Sequence, residues 1–455
     1  MTRHVPALVV GGGVSGLVCA FALRKSGIDA HLVEASPRSG GVIQSITSEG
    51  FLLELGPQSF GGAPSLYNLC RQLGIQNQLL TAPPLPRFIL IDGKLKAAPL
   101  RTVHFFASSF AGIRTKWSIF RDAFGRTVPP AGDESVAAFV RRKFTPELLE
   151  KIVGPFVSGI YAGDPEKLSF GAAFPQLREA ETETGSIIRG LARRGKQLKQ
   201  SGAPRPALLS FRNGNETLVH TLSSKIGPAL QTNARVTSIA RNSDASVEVQ
   251  LETNGQTETI STKKLIIATP TEVAGKLLGG LDPALESLLK SVEYVPVAVV
   301  SLGYRKSDIG RSLHGFGFLV PRTAGLRVLG TVWNSSLFPG RAPDGCALLT
   351  SFLGGATDPE VARLPPGEMA TLVHNQISPL LSITGDPAFS NVTVWRRALP
   401  QYNLGHLERL AAVSSLLRNY PGIWLAGNYL RGPALGSTVE QSIAVAEEVR
   451  VALQS

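Results

Sequence analysis

A glycine motif near the N-terminus constrains the fold more than any other feature of this 455-residue chain. The apolar run over residues 7–10 leads into Gly11, Gly13 and Gly16, where a helical pattern over about residues 15–26 begins. In such a turn the first glycine permits the tight bend, the second lets a pyrophosphate approach the backbone, and the third lets helix and strand pack closely. The helix N-terminus then offers unpaired N–H groups to the anion. The pattern predicts a strand–turn–helix unit that binds a dinucleotide.

An acidic strand end supports the same interpretation. A second apolar run over residues 29–35 places Glu34 18 residues after Gly16. A carboxylate at that point can accept hydrogen bonds from the ribose hydroxyls of a dinucleotide. The predicted first part of the site is Gly11, Gly12, Gly13, Val14, Ser15, Gly16, Glu34 and Ala35.

Length and composition limit the class of protein. With 43% hydrophobic and 18% charged residues the chain has a globular composition, and its length exceeds what one hydrophobic core usually supports. Three cysteines without a C-x-x-C argue against a disulfide scaffold or a zinc ribbon and favour a reducing compartment. No H-E-x-x-H occurs among seven scattered histidines, so we predict no metal site. The N-terminus does not resemble a signal peptide and no run of 18 apolar residues occurs, so we expect a soluble or peripheral protein.

The positive charge of +12 is concentrated in two stretches. Residues 87–126 carry a net +6, and residues 189–212 carry +7 with no acidic residue. Aromatic side chains lie between the charges of the first stretch: Phe105, Phe106, Phe110, Trp117 and Phe120. One interpretation is a solvated surface. The other is an anionic membrane surface, with rings at the acyl boundary and cations among the phosphates. Nucleic acid would need the same charge, but no motif that reads RNA or DNA is present.

Glu34 is followed by Arg38-Ser39-Gly40-Gly41, an R-x-G-G segment, and Leu425-Ala426-Gly427 near the C-terminus precedes another predicted helix. This outline resembles that of FAD-dependent amine-oxidase-like proteins. The resemblance implies that the arginine reaches the diphosphate and that the last helix directs its positive end at the flavin. It adds these cofactor residues: Arg38, Gly41, Val42, Gly56, Pro57, Gln58, Ser59, Val236, Trp395, Gly427, Pro433, Ala434 and Leu435. Trp395 is equally compatible with a structural role.

Five further motifs occur along the chain: F-L-L-E-L-G-P at 51–57, R-F-I-L at 87–90, G-I-Y-A-G-D at 159–164, G-F-G-F-L-V-P at 315–321 and P-Q-Y-N-L-G-H at 400–406. In this order they resemble the oxygen-dependent protoporphyrinogen oxidases across essentially the whole chain. Gln58, Val42 and Phe352 depart from residues that some members carry at these positions (Arg, Trp and Met).

The resemblance implies a flexible tetrapyrrole substrate with carboxylate arms. Arg87 would hold a propionate bidentately. Phe316, Leu319 and Phe352 would sandwich pyrrole rings, and the backbone at Ala162 and Gly163 would face the pyrrole N–H groups. The alternatives are a surface arginine and ordinary core packing. No catalytic side chain is assigned, since the flavin supplies the redox chemistry in six-electron oxidation by three O2 to three H2O2.

We therefore predict an α/β + α protein of three parts. A discontinuous FAD-binding Rossmann-like domain spans residues 1–86, 207–274 and 391–455, and a mixed-sheet substrate-binding domain spans 87–94 and 275–390. A helical membrane-surface insertion spans 95–206, with a flexible linker at 201–206.

Several alternatives stay open at this point. The first is oxidation of coproporphyrinogen III to coproporphyrin III, although a four-carboxylate substrate would need more basic pocket residues than Arg87. Others are a different amine oxidase or carotenoid desaturase, or a basic binding module without catalysis. A homodimer and contact with a ferrochelatase are family expectations. The expected location is the cytoplasmic face of a bacterial membrane, or an organellar membrane for a mature eukaryotic protein.

Overall fold

The computed structural model describes residues 2–99, 106, 108, 110–200 and 207–454. The predicted linker at 201–206 and the predicted surface residues Arg101 and Phe105 lie outside the described residues.

In the described residues, strands make up two large sheets and two small ones. In chain order they are β1 Thr2–Val10, β2 Ala30–Val33, β3 Ser45–Ser48, β4 Phe51–Glu54, β5 Phe60–Gly61, β6 Leu79–Thr81, β7 Arg87–Ile91, β8 Lys94–Ala97, β9 Leu208–Phe211, β10 Leu230–Gln231, β11 Ala234–Arg241, β12 Val247–Thr253, β13 Gln256–Ile267, β14 Tyr294–Arg305, β15 Gly317–Leu319, β16 Val328–Trp333, β17 Cys346–Gly354, β18 Phe389–Pro400 and β19 Ile423–Leu425.

The helices of the described residues connect and cover these sheets. They are α1 Val14–Lys25, α2 Pro64–Leu73, α3 Ile113–Phe124, α4 Val136–Lys143, α5 Pro146–Leu148, α6 Gly154–Tyr161, α7 Phe170–Ala173, α8 Pro175–Thr184, α9 Ile187–Gln200, α10 Glu216–Ile226, α11 Thr271–Gly279, α12 Pro283–Lys290, α13 Asn334–Leu337, α14 Pro366–Leu381, α15 His406–Leu417, α16 Asn428–Arg431 and α17 Leu435–Gln454.

The first sheet has the strand order β10-β2-β1-β13-β12-β11, with β19 also paired to β13. Strand β1 runs parallel to β2 and β13, while β11, β12 and β13 form an antiparallel meander. Parallel strands buried on both faces read as continuous apolar runs, which is why residues 7–10 and 265–267 were recognisable in the sequence. Helices α1, α2, α10 and α17 cover one face around a shared apolar core.

The second sheet has the order β18-β14-β17-β16-β15-β7-β8. One face packs against α14, in a core that includes Trp333 and Tyr304. The opposite face includes Leu319 and Phe352 and is only partly covered by protein. This mixed α/β architecture confirms the predicted fold class apart from its membrane-surface part.

Two predicted domain boundaries need correction. Strand β18 pairs with β14 from Phe389 to Pro400, so the boundary set at 391 would cut a continuous edge strand of the second sheet. Strand β8 pairs with β7, so residues 95–97 belong to that sheet and not to the helical insertion. The first error arose because register with a distant strand leaves no local sequence signal. The second boundary missed a local signal, since β7 and β8 form a hairpin around Asp92-Gly93.

Candidate functional site

The glycine motif forms a backbone surface with room for a ligand. A Cβ on Gly16 would lie 1.9 Å from the carbonyl oxygen of Gly11, so this glycine is required for the contact between helix and strand. A Cβ on Gly13 would meet no protein atom within 4 Å. Gly13 is also the N-cap of α1 and supplies no side-chain cap to the first turn. The motif therefore presents unpaired N–H groups to open space, as the pyrophosphate of a dinucleotide requires.

Glu34 lies directly beside this turn. One carboxylate oxygen accepts the N–H of Gly12 at 2.5 Å, and the other accepts the N–H and hydroxyl of Ser36 at 2.8 and 2.6 Å. These bonds fix the carboxylate in position and leave some of its lone pairs for the predicted ribose hydroxyls. Ala35 is exposed next to Glu34, and Val236 packs half-buried in the cluster that contains Val33.

Arg38 holds the neighbouring loop. Its guanidinium donates to the carbonyls of Gly41 and Ile43 at 2.8 and 2.6 Å, and pairs with Glu216 at 3.1 Å. Arg38 therefore supports the glycine loop in this structure, and its direct reach to a diphosphate stays a prediction. That loop approaches the first one closely, since Gly40 donates its N–H to the carbonyl of Gly12 at 2.7 Å.

A third loop joins the other two. A Cβ on Gly56 would lie 2.0 Å from the carbonyl oxygen of Val42, so the backbones of the two predicted segments touch. Trp395 donates its indole N–H to the carbonyl of Leu55 at 2.6 Å, which ties β18 to this loop. The bond supports the structural interpretation of Trp395. Pro57 and Ser59 lie between these anchored positions and the short strand β5.

Gln58 is buried and connects the loop to the second sheet. Its amide nitrogen donates to the carbonyls of Glu54 and Gly56, and its oxygen accepts from Asn334 at 2.6 Å. The neutral amide of Gln58 thus uses both its nitrogen and its oxygen in hydrogen bonds, at a position where some members of the family carry arginine.

The last predicted segment precedes α17. Gly427 is held by Gln441, which accepts its N–H at 3.4 Å and donates to the carbonyl of Leu425. Pro433 and Leu435 are half-buried and Ala434 is exposed, at the N-terminus of a 20-residue helix. A Cβ on Gly436 would lie 2.8 Å from the Cβ of Ala63, so this helix end adjoins the chain that follows Ser59.

These observations test whether FAD fits the residues. Glycines line a backbone surface that a side chain at position 13 would fill, one fixed carboxylate stands beside it, and two helix N-termini belong to the same region. A long ligand with a central diphosphate and a terminal ribose matches that donor set. The residues present therefore fit FAD, and the contacts of the individual residues stay predictions.

The predicted apolar substrate residues share one face of the second sheet. Leu319 pairs in register with Gly330, and Gly330 pairs with Phe352, so the three occupy one row across β15, β16 and β17. Leu319 and Phe352 are half-buried. A Cβ built on Gly330 would lie 3.1 Å from Cδ2 of Leu319, so the Leu319 side chain packs over this glycine. Gly330 was not predicted, although a glycine inside a strand often marks a bulge or a close backbone approach.

Arg87 and Phe316 meet at one end of this face. The guanidinium carbon of Arg87 lies 4.7 Å from the ring centroid of Phe316, and Arg87 is exposed. Among the described residues no carboxylate forms an ion pair with Arg87. An exposed guanidinium held over a ring by a cation–π contact is well placed to take a carboxylate from a ligand.

Ala162 and Gly163 follow α6, which packs against β15 and β16. Ala162 has a left-handed φ of 47°. Its carbonyl accepts the N–H of Ala356 at 2.7 Å, and a Cβ on Gly355 would lie 2.4 Å from that oxygen. The carbonyl predicted to face a pyrrole N–H therefore already has one partner, with one lone pair left.

A buried ion pair joins β4 to the loop before β17. Arg341 and Glu54 have side chains that are 1% and 2% exposed and lie 3.3 Å apart. Burial raises the pKa of Glu54 to about 7, against the lowering effects of Arg341, Ser45 and the Asn215 N–H. Burial also lowers the pKa of Arg341.

The basic stretches differ in how their charges are used. Arg189 donates to the carbonyls of Ala123, Gly125 and Thr184, and Arg194 pairs with Glu179 on α8. The prediction of a strongly positive surface at 189–212 was therefore too simple. Acidic residues of α8 neutralise part of that charge, and they lie outside the sequence window that was counted.

Helix α3 has an unusual distribution of side chains. Thr115, Ser118 and Asp122 are buried, and Asp122 pairs with the buried Lys143 at 2.8 Å. The opposite face exposes Ile113, Trp117, Phe120 and Phe124, with exposed fractions of 80%, 63%, 46% and 74%. We call the three aromatic residues of this face, Trp117, Phe120 and Phe124, the aromatic stripe. A helix with a polar inner face and an apolar outer face is the reverse of a water-facing helix. In the described part of the chain, no helix is long and apolar enough to cross a bilayer.

Comparison with known proteins gives consistent results. Residues 14–450 match the family model for flavin containing amine oxidoreductases. A chloroplastic protoporphyrinogen oxidase 1 from Spinacia oleracea is 36% identical over 97% of this chain and 83% of its own length. A coproporphyrinogen III oxidase from Bacillus subtilis is 27% identical over 98% of this chain and 97% of its own length. A crystal structure from Exiguobacterium superposes with a TM-score of 0.81, covering 99% of both chains at 23% identity, which supports the fold alone.

Proposed function

Because the chain belongs to the family of flavin containing amine oxidoreductases, we propose that it oxidises protoporphyrinogen IX to protoporphyrin IX. The protein is an FAD-dependent oxidase, and FAD held by the glycine loops and Glu34 would supply the redox chemistry between the substrate and O2. The overall change removes six hydrogens from the porphyrinogen and converts three O2 to three H2O2.

The single observation that carries the proposal is the Arg87–Phe316 pair beside the row formed by Leu319, Gly330 and Phe352. It combines a cation that pairs with no carboxylate of the described residues and an extended apolar surface. A mostly apolar tetrapyrrole with carboxylate arms has the complementary chemistry. The chain's own contribution is to bind and orient this substrate. A small displacement of the bound substrate therefore lowers the reaction rate.

Two roles follow for these residues. Arg87 binds a propionate and cannot act as a base, because a guanidinium stays charged at any working pH. The apolar row excludes water from the face on which the tetrapyrrole lies. The free lone pair of the Ala162 carbonyl is available to a pyrrole N–H.

Coproporphyrinogen III is the second candidate substrate, since relatives at 27% identity carry that name. The 36% identity to the spinach enzyme favours protoporphyrinogen. Of the six predicted substrate residues only Arg87 is charged, which suits two propionates better than four.

The test is aerobic turnover of the purified yellow protein. We expect protoporphyrinogen IX to yield porphyrin fluorescence together with H2O2. A flavin-loaded protein that produces neither from either porphyrinogen would contradict the proposal.

We also propose that the aromatic stripe places the enzyme on an anionic membrane surface. Its rings contact one another, with centroids 5.4 Å apart for Trp117 and Phe120 and 4.7 Å for Phe120 and Phe124. Arg114 and Arg121 are exposed on the same helix. Apolar rings flanked by cations suit the boundary between headgroups and acyl chains. The proposed location is thus the cytoplasmic face of a bacterial membrane, or an organellar membrane for a mature eukaryotic protein; a homodimer and a ferrochelatase contact stay predictions.

A further inference from the structure

The segment at 400–406, one of the motifs recognised in the sequence, contains buried polar side chains. Tyr402 and His406 are 1% and 0% exposed, although both are polar. Their rings stack with centroids 4.3 Å apart and planes inclined by 11°. Buried polar side chains usually have specific partners, and here the partners lie in one loop.

Tyr402 joins the two ends of the turn that contains α16. Its hydroxyl donates to the carbonyl of Asn428 and accepts the N–H of Gly432 at 2.6 Å. One oxygen atom thus satisfies a carbonyl at the start of the turn and an N–H just after it. Without the hydroxyl, both backbone groups would lose this partner.

His406 contacts the middle of the same turn. Its Nε2 lies 2.9 Å from the carbonyl of Tyr429, which can only accept, so Nε2 carries the proton. Burial lowers the pKa of His406, consistent with a neutral ring. Nδ1 has no hydrogen-bond partner among the described residues.

The segment itself is anchored on its other side to the helical part of the chain. The carbonyl of Tyr402 accepts the N–H of Ser169 at 2.8 Å, and the backbone N–H of Leu404 donates to the backbone carbonyl of Lys167 at 2.9 Å. Asp133 accepts the N–H of Gly405 at 3.0 Å. The two side chains therefore project from a fixed backbone, and they can hold the turn in one position.

The turn leads directly to cofactor residues. Gly432 is followed by Pro433 and Ala434, and Leu435 then begins the helix whose positive end is assigned to the flavin. We propose that Tyr402 and His406 are positioning residues that set the place of this helix N-terminus relative to the flavin. The inference rests on the FAD site and not on the identity of the porphyrinogen.

Loosening the turn should alter the bound FAD in two measurable ways. We expect Tyr402→Phe to weaken FAD binding about tenfold, the effect of losing one well-made buried hydrogen bond. The reduction potential of the bound FAD should fall, because a helix N-terminus that is less well placed stabilises the negative charge gained on reduction less.

The experiment measures the FAD dissociation constant, the potential and the apoprotein melting temperature of each variant, without porphyrinogen. Tyr420→Phe is the matched control, since its hydroxyl donates to the carbonyl of Leu281 at 2.9 Å away from the turn. His406→Phe keeps a stacked ring and removes the bond to Tyr429, and His406→Gln restores an N–H donor. The proposal expects lower affinity and potential in Tyr402→Phe and His406→Phe, partial recovery in His406→Gln, and wild-type values in Tyr420→Phe.

Unchanged potential in Tyr402→Phe, even with a lower melting temperature, would overturn the proposal in favour of a purely structural role. If Tyr402→Phe does not fold, His406→Phe is judged by the same criterion. Because no porphyrinogen is used, failure of the proposed substrate would leave this result unaffected.

Discussion

In the dinucleotide site, two glycines matter because they have no side chain, and two polar residues matter because of their hydrogen bonds. Gly16 is needed by the protein, because a Cβ would collide with Gly11, whereas Gly13 borders open space. Glu34 and Arg38 are polar, yet both are fixed by backbone groups before any ligand binds. The sequence motif predicts all four positions, but only the structure separates the residues that build the loop from those that face the ligand.

We predict that Gly13→Leu abolishes FAD retention while the fold persists, because the new side chain would occupy the space of the pyrophosphate. Flavin absorbance per protein and circular dichroism measure the two effects. Gly367→Leu is the matched control, since a Cβ there also meets no atom within 4 Å. A fully flavinylated Gly13→Leu protein would refute the site.

Arg87 should orient the substrate and transfer no proton. We expect Arg87→Ala to raise KM with a smaller fall in kcat, and Arg87→Lys to recover part of the loss, because an ammonium restores charge without the bidentate fork. FAD content should stay at the wild-type level in both variants. Steady-state kinetics measure KM and kcat of both variants. An unchanged KM in Arg87→Ala would show that Arg87 is a surface arginine that does not bind the substrate.

Glu54 should make stability depend on pH. Burial raises its folded-state pKa from 4.5 to about 7, so the folded protein binds the proton more tightly than the unfolded chain. The stabilisation is present below pH 4.5 and is lost as pH rises to about 7, by at most about 1.4 kcal/mol for each pH unit.

Urea unfolding of wild type and Glu54→Gln at pH 5 and pH 7.5 checks this. The free energy of unfolding of wild type should fall relative to that of Glu54→Gln as pH rises. Parallel pH profiles would show that Arg341 keeps the carboxylate ionised throughout.

At the scale of elements, α3 carries the argument for membrane contact. Its buried face is fixed by the Asp122–Lys143 pair, so the aromatic stripe is held outward by the fold. The positive charge of α9 contributes less than its sequence implies, since α8 supplies carboxylates to it.

We predict that Trp117→Ser with Phe124→Ser abolishes most binding to vesicles of anionic lipid, because these rings supply apolar contact that salt does not screen. Wild-type binding should weaken with salt but persist in part, as the screening length falls from about 10 Å at 0.1 M to about 3 Å at 1 M. Val451→Ser, at a residue 52% exposed on α17, serves as the control in a sedimentation assay. If the wild-type protein does not bind anionic vesicles at low salt, the aromatic stripe has no role in membrane contact.

Elements whose evidence is local were predictable from the sequence. The strand before Gly11, helix α1 and the strand ending near Glu34 follow from apolar runs and glycine placement within some 30 residues. The extent of β18 and the partners of α9 were not predictable, because both depend on contacts with distant parts of the chain. The role of Tyr402 was hidden for the same reason: its partners lie about 30 residues further along.

At the scale of the whole molecule, the two sheets divide the task. The first sheet and its helices present the glycine loops, and the second presents the row that contains Leu319 and Phe352. Gln58 and Trp395 tie the loop after β4 to the second sheet, through Asn334 directly after β16 and through β18. The Arg341–Glu54 pair ties β4 to the loop before β17. The resemblance in sequence gave the substrate residues, and the register of the second sheet explains why residues far apart in sequence share one face.

The most direct test of the central claim is a competition for the flavin-loaded enzyme between protoporphyrinogen IX and coproporphyrinogen III, with each porphyrin product quantified by chromatography. The ratio of the two kcat/KM values follows from the product ratio. We expect protoporphyrin to predominate, because one arginine beside an apolar row favours the less charged substrate. Preferential formation of coproporphyrin would contradict the account and assign the chain to the other branch of porphyrinogen oxidation.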